Sequence, residues 1–495
     1  MRRFSEHRVI GPLIFLLLLS LIASTDLARH FSPDSWTLYE LAQSILSGDF
    51  YHLNTVRGYA FTGNYSAAFP PLWPAFIATA EWLTAPSAGA QLLISALTAG
   101  FTAWLLAAFA NRTYGSKWLG LALFLLLILN RHYAYSLRGG HTLMPYLALL
   151  TLVYYAWIKL DFARWQTALL FGILCGLMAL TRFEGLVYAL AFGGLICWKM
   201  RWRGALVFYA ALPFAISPWI FYSQVHFGLW YASDNARNLP SVAPRFVLEY
   251  LPQGFATWRD DFPGWLLRIA RDSIAWMGVI LRNLSYLSLL ALLGWRMGLK
   301  FRRNSALAPL FLPLIPAYLL IGASGYHEAR YLLPLELTLA IYLLSLVDWR
   351  NLPRRLPLLL TALSLCTGLF YLGEAVSAQR ALFGALRAPE KLPTDIEALN
   401  DCLENGKPGP ILLPGDRLSY QFGARGIRPV YLAPSNLKPA DYPAFLKSFS
   451  IGYILEDGAN IALPQSLQTP PICTLAQWGK IRHPLHLRAV FTENH

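Results

Sequence analysis

A polytopic α-helical membrane protein with a small C-terminal α/β domain is the fold class this sequence predicts. Three observations carry that prediction. Of the 495 residues, 56% are hydrophobic and only 14% charged, against roughly 25% charged in soluble domains. Apolar runs recur at the length that crosses a bilayer, about 20 residues of helix. Much of the Lys and Arg lies in short loops between those runs, the bias of cytoplasmic loops. The formal charge of +14 therefore argues for membrane topology and against a nucleic-acid surface.

Taken in order, the predicted spans are 9–27, 87–110, 117–131, 141–158, 166–181, 184–198, 205–223, 273–295, 306–322, 329–347 and 356–373. The first follows Met1-Arg2-Arg3 and also fits a signal peptide with a small-residue site near residue 24. The topology uses it as an uncleaved anchor. A further apolar stretch, 70–83, is short and holds three prolines.

Charge decides how that stretch is read. The loops 159–164, 199–203, 295–303 and 348–355 are short and basic, so they are assigned to the cytoplasm. Counting back, 131–140 lies outside, and an even number of crossings must separate residue 50 from residue 135. The spans 87–110 and 117–131 supply two, so 70–83 is expected to lie along the outer leaflet. About 11 transmembrane helices result, with the N-terminus inside and the C-terminus outside. The outer face collects the loops 30–69, 131–140, 182–184, 224–272 and 325–330.

Hydropathy falls from about residue 381. Residues 393–404 and 440–449 read as helices; 410–414, 429–432 and 452–455 read as short strands. Alternation of this kind predicts an α/β unit. The expected domains are therefore 1–378, membrane-embedded with a first external loop at 28–86, and 379–495, extracytoplasmic. Of the five cysteines, Cys175, Cys197 and Cys366 fall in apolar spans. Cys402 and Cys473 would share an oxidising compartment, and whether they bond is left open.

The first external loop carries Phe31-Ser-Pro-Asp34, followed by apolar residues at helical spacing from Trp36 to Leu46. Asp34 has two readings at this point: a helix N-cap, or a carboxylate with chemistry to do at the membrane surface. Asp34, the 39–46 helix, Phe69-Pro-Pro-Leu-Trp-Pro74, Thr181-Arg-Phe-Glu-Gly185 and Ala329-Arg-Tyr-Leu-Leu-Pro334 together resemble the GT-C glycosyltransferases. The branch they most resemble is that of protein O-mannosyltransferases and bacterial aminoarabinose or lipopolysaccharide-core sugar transferases. The resemblance covers roughly residues 1–375 and rests on the order and shared outside placement of motifs that are each weak.

That resemblance implies a polyprenyl-phosphate-linked sugar donor and an acid in the first external loop acting on the acceptor. The chemistry is economical. A phosphate leaves readily and needs cations more than a proton donor, while the attacking hydroxyl needs a base. Asp34 is the implied general base, with inversion at the sugar; Glu40 and Asp49 are the fallback bases. Many relatives place a second acid at the start of the span after the second external loop. Here that position is His141, which either takes the auxiliary role or is structural.

Candidate phosphate ligands are Arg330, Arg237, Arg57 and Arg138, since a guanidinium presents a planar fork to phosphate. Arg330 ranks first, with a snorkelling anchor as its alternative. Tyr39, Tyr65, Glu184 and His327 are the candidate substrate contacts. Arg182 and Glu184, two residues apart at a tight turn, are expected to pair and fix it. His327 and Glu328 offer too few ligands for a metal site, and no cofactor is expected. The expected function is sugar transfer to a lipid, glycan or protein acceptor on the outer face of a bacterial inner membrane. The alternatives are a transporter or flippase of lipid-linked glycans and a non-catalytic scaffold.

Overall fold

The computed structural model describes residues 33–52, 56–57, 61–62, 65–66, 69–84, 88–115, 117–129, 131–228, 230–231, 262–264, 266–267, 270–271, 274, 307–323, 329–345, 411–413, 430–432, 443, 446–447, 451–456, 470–475 and 485–489. The expected spans 9–27 and 356–373 and the expected helix 393–404 lie outside them, as do Arg237, His327, Cys402 and all but one residue of the span 273–295. Of Arg57, Arg138 and Tyr65 only the backbone is described.

Helix α1, Pro33–Ser47, begins three residues earlier than the apolar spacing suggests. Proline suits a first helical position, where a missing N–H costs nothing. Asp34 therefore sits inside the first turn, where the helix dipole favours an acid, and is not the cap. Leu38, Leu41 and Ala42 are fully buried, forming one apolar stripe. After α1 the chain turns through Gly48 at φ 84° and then Tyr51 at φ 70°, a strained value for a bulky residue. Tyr51 is held there by burial, by donating to the Phe69 carbonyl at 2.9 Å, and by ring contacts with Trp219 and Tyr222.

The proline-rich stretch forms α2, Leu72–Leu83. At 12 residues it is about 18 Å long, too short to cross a bilayer. It packs on α1 through Leu38, Ala42, Trp73, Ile77 and Ala78. Helices α3, Ala88–Tyr114, and α4, Lys117–Leu129, follow. Residues 131–140, expected as a loop, are instead mostly helix: α5, Arg131–Gly139. Ala134, Leu137 and two arginines favour a helix there, and Gly140 ends it. Helices α6, Leu143–Lys159, and α7, Trp165–Ala179, come next.

Helix α8, Phe183–Phe227, is continuous in hydrogen bonding but breaks at Arg201, φ 59°. The Tyr209 hydroxyl donates to the Leu190 carbonyl at 2.8 Å. A straight helix would hold two residues 19 apart at about 28 Å. The chain therefore folds back at Arg201, giving two antiparallel arms where two spans and a basic turn are expected. α7 packs against the second arm through Gly172 and Gly176, where a Cβ would strike Ala211 and Ala215; small residues let helices approach closely. Residues 90–114 and 183–227 are, among the described residues, long and apolar enough to cross a membrane. A 3-10 turn, Ala308–Phe311, leads to α9, Leu314–Ala323; a second, Ala329–Leu332, leads to α10, Leu333–Ser345.

The strands are β1, Val56–Arg57; β2, Phe61–Thr62; β3, Tyr65–Ser66; β4, Ile411–Leu413; β5, Val430–Leu432; β6, Tyr453–Glu456; β7, Cys473–Leu475; and β8, Leu485–Ala489. Six form one sheet, ordered β1-β5-β4-β6-β8-β7. β5, β4 and β6 are parallel, and β8 and β7 add antiparallel at one edge. At the other edge β1, from the first external loop, pairs in parallel with β5. Cys473 is disulfide-bonded, while Cys175 and Cys197 are free thiols.

Candidate active site

Three residues far apart in sequence meet at the start of α1. Arg330 Nη1 donates to Asp34 Oδ2 at 3.0 Å. His141 Nδ1 lies 3.6 Å from the same oxygen, a close approach but longer than a hydrogen bond. Asp34 is one-third exposed, while the side chains of Arg330 and His141 are 17% and 4% exposed. A carboxylate that reaches solvent thus accepts from the part-buried Arg330 and faces the buried His141 across 3.6 Å on the same oxygen.

The local sequence explains each placement. Asp34 is lifted to the surface by the first turn of α1. His141 follows a helix end in which Gly140 has φ 62°, a conformation glycine adopts without strain. The Gly140 N–H donates to the Leu137 carbonyl at 3.4 Å and the His141 N–H to the Ser136 carbonyl at 3.0 Å. This double bond pattern is the Schellman end. Gly139 is needed for space: a Cβ there would strike the His141 ring and stand 2.8 Å from Ser35 Oγ. Tyr135 stacks on the His141 ring, centroids 5.0 Å apart.

His141 lies in the turn ahead of α6. Burial first, and the Arg330 and Arg182 guanidiniums with it, push its imidazole down from 6.5 to about 4, against the pull of Asp34. At neutral pH it is uncharged, and Arg330 is the cation at Asp34.

A second pair backs the first. Both Glu184 oxygens accept from Arg182, at 2.7 and 3.3 Å. Arg182 also donates to Thr142 Oγ1 at 3.2 Å, next to His141. The Arg182 guanidinium lies over the Tyr331 ring at 4.9 Å, and Arg330 lies 5.4 Å from the same ring. Cations favour an aromatic face, so the two arginines share the Tyr331 ring. Glu184 serves Arg182 with both oxygens, the turn-fixing role its spacing suggests.

The other candidates fall elsewhere. Tyr39 is half-buried on α1, where burial, and after it the Glu81 carboxylate, hold its phenol above the ordinary range. Arg57 belongs to the sheet-edge strand β1, Tyr65 to the short β2–β3 hairpin, and Arg138 to the last turn of α5. Among the described residues no three His, Cys, Asp or Glu side chains gather to hold a metal.

Sequence reasoning gave no part to Gln91, Gly139 and Tyr135, and named Trp73 and Tyr331 only within the motifs that carry the resemblance. Gln91 had a legible signal, as a lone amide in an apolar run. Gly139-Gly140 before His141 had one as well, as a helix-end pattern.

The arrangement of the helices is a GT-C-like fold. Two solved structures make the likeness concrete. Apo ArnT from Cupriavidus metallidurans matches with a TM-score of 0.57 at 14% identity, over 98% of each chain. The Archaeoglobus fulgidus oligosaccharyltransferase, tethered to an acceptor peptide containing the NVT sequon, matches with a TM-score of 0.50 at 14% identity. That match covers 90% of this chain and 69% of that one. No protein-family model matches the chain, and no curated protein sequence does.

Proposed function

We propose that this protein is a GT-C glycosyltransferase. It moves a sugar from a polyprenyl-phosphate donor to a lipid, glycan or protein hydroxyl on the outer face of a bacterial inner membrane. One observation carries the reading: Asp34, partly exposed, is held by Arg330 at 3.0 Å beside the uncharged His141, within a fold shared with ArnT.

On this reading the two carboxylate oxygens have separate tasks. Oδ2 accepts from Arg330, with His141 3.6 Å away, and Oδ1 takes the acceptor proton. The acceptor oxygen then bonds to the anomeric carbon as the bond from that carbon to the phosphate oxygen breaks. The lipid phosphate departs with the electron pair, and the carbon inverts. Inversion needs one carboxylate base; retention would need a second as nucleophile. Glu184, already committed to Arg182, does not supply it. Arg330, sharing the Tyr331 ring with Arg182, provides the positive charge toward which a phosphate would be drawn.

The test is transfer by purified protein in nanodiscs, using radiolabelled polyprenyl-phosphate sugars and a membrane-glycan extract. Asp34→Asn is expected to reduce transfer about 100- to 10,000-fold, the range for losing a positioned base, with donor binding kept. Transfer surviving in the variant would move the base to Asp49, Glu40 or His141. An inactive wild type that translocates lipid-linked glycans in liposomes would overturn the enzyme reading in favour of a transporter.

A further inference from the structure

Gln91 lies near the start of α3 and is fully buried. Its Nε2 faces three carbonyls: Ser35 at 3.3 Å, Gly139 at 3.1 Å and Gly140 at 3.4 Å. Three acceptors on one side fix the orientation of the amide. Ser35 follows Asp34, and Gly140 precedes His141. The amide therefore bridges the turn that presents the carboxylate and the turn that presents the imidazole. The Trp73 indole N–H donates to the Gly140 carbonyl from α2, bracing the second turn from another direction. A Cβ on Gly140 would strike the Gln91 side chain, so Gly140 also makes room for the amide.

The arrangement carries a cost. Among the described residues Gln91 Oε1 is buried and accepts no hydrogen bond. An unmade buried bond destabilises; an apolar side chain of similar size would remove that oxygen but also withdraw the amide donor from the Ser35 and Gly139 carbonyls. An amide in an apolar helix hydrogen-bonds across to neighbouring segments, and here both segments bear residues of the candidate site.

We propose that Gln91 is a positioning residue. By donating to the Ser35, Gly139 and Gly140 carbonyls it sets the distance between Asp34 and His141. Its functional meaning rests on the transfer reading above; the clamp itself rests on the hydrogen bonds alone. Small misplacements of a base are expensive in rate, whereas global stability need not register them.

The experiment uses the full chain in nanodiscs with Gln91→Met, which keeps length and removes the donors. The expected result is a kcat lowered about tenfold or more. The donor KM should stay within about twofold, since a positioning group acts on the transition state and not on binding. The melting temperature should move by only a few degrees. In histidine-labelled protein, the His141 ring resonance, assigned by its loss in His141→Asn, should shift. Trp73→Phe, which removes the second brace on Gly140 together with part of the packing of α2 on α1, should produce the same pattern more weakly, and the His141 resonance in it decides the question if Gln91→Met does not fold. A wild-type kcat with an unmoved His141 resonance would overturn the proposal. So would a kcat that falls only in step with loss of folded protein. If the wild type transfers no sugar, the transfer reading fails, and the resonance alone still decides the clamp: moved in Gln91→Met it stands, unmoved it falls.

Discussion

His141 should make the protein acid-sensitive in a defined window. Its imidazole is held at about 4 against 6.5 unperturbed. The unfolded chain therefore binds a proton between those values that the folded chain refuses. Stability must fall as pH drops through that window, because protons favour the state that binds them. At about 1.4 kcal/mol per pKa unit, the full loss is roughly 3 kcal/mol by pH 4, and about 2 kcal/mol of it is already present at pH 5. The perturbation is His141→Asn, which cannot titrate. The assay is the melting temperature of both proteins in nanodiscs at steps from pH 7.5 to 4.5. The difference between them isolates His141 from every other titrating group. The variant should gain on the wild type steadily below pH 6.5. A flat difference, or one that widens toward alkaline pH, would refute the argument that burial and the two arginines keep this ring neutral.

Two further variants test neighbouring features. Glu184→Gln leaves the buried Arg182 without its carboxylate and should destabilise by about 3–5 kcal/mol, read as a lowered melting temperature at neutral pH. On α2, the buried Glu81 accepts from Gln43, and burial pushes its carboxyl up to about 8. The unfolded chain sheds that proton above 4.5, so the native state loses stability as pH rises from 4.5 to 8. Glu81→Gln should gain on the wild type over that range, by roughly 3 kcal/mol at pH 7, and a melting series that shows no such divergence would contradict it.

Much of the membrane portion was legible because hydrophobic period and loop charge are local properties. Several expected spans coincide with α3, α4, α6 and α7, and the basic turn at 199–203 falls where α8 folds back. The strands at 411–413 and 430–432 lie within the predicted runs, and 453–456 overlaps the third, ending one residue beyond it. The strands at 473–475 and 485–489 were not anticipated: β7 is three residues at the sheet edge with little periodicity of its own, while the alternation in Leu485-His-Leu-Arg-Ala489 was a legible signal that went unread. β1 was invisible for a stronger reason: two residues become a strand only when β5 is beside them.

The site divides in the same way. The sequence by itself placed Asp34, His141 and Arg330 at the ends of apolar runs, since each sits where such a run stops or starts. It also determined that Arg182 and Glu184 would meet, because two residues of separation leave them within reach. Only the tertiary structure decided that Arg330 reaches back across 296 residues to Asp34 and that it shares the Tyr331 ring with Arg182. The same is true of Gln91, which spans the two turns bearing Asp34 and His141. The physical reason is that hydropathy sets how deep a residue sits along its helix, whereas helix packing sets the rotation and the neighbour. Chemistry at this site depends on the second, and a pattern in one strand of sequence does not encode it.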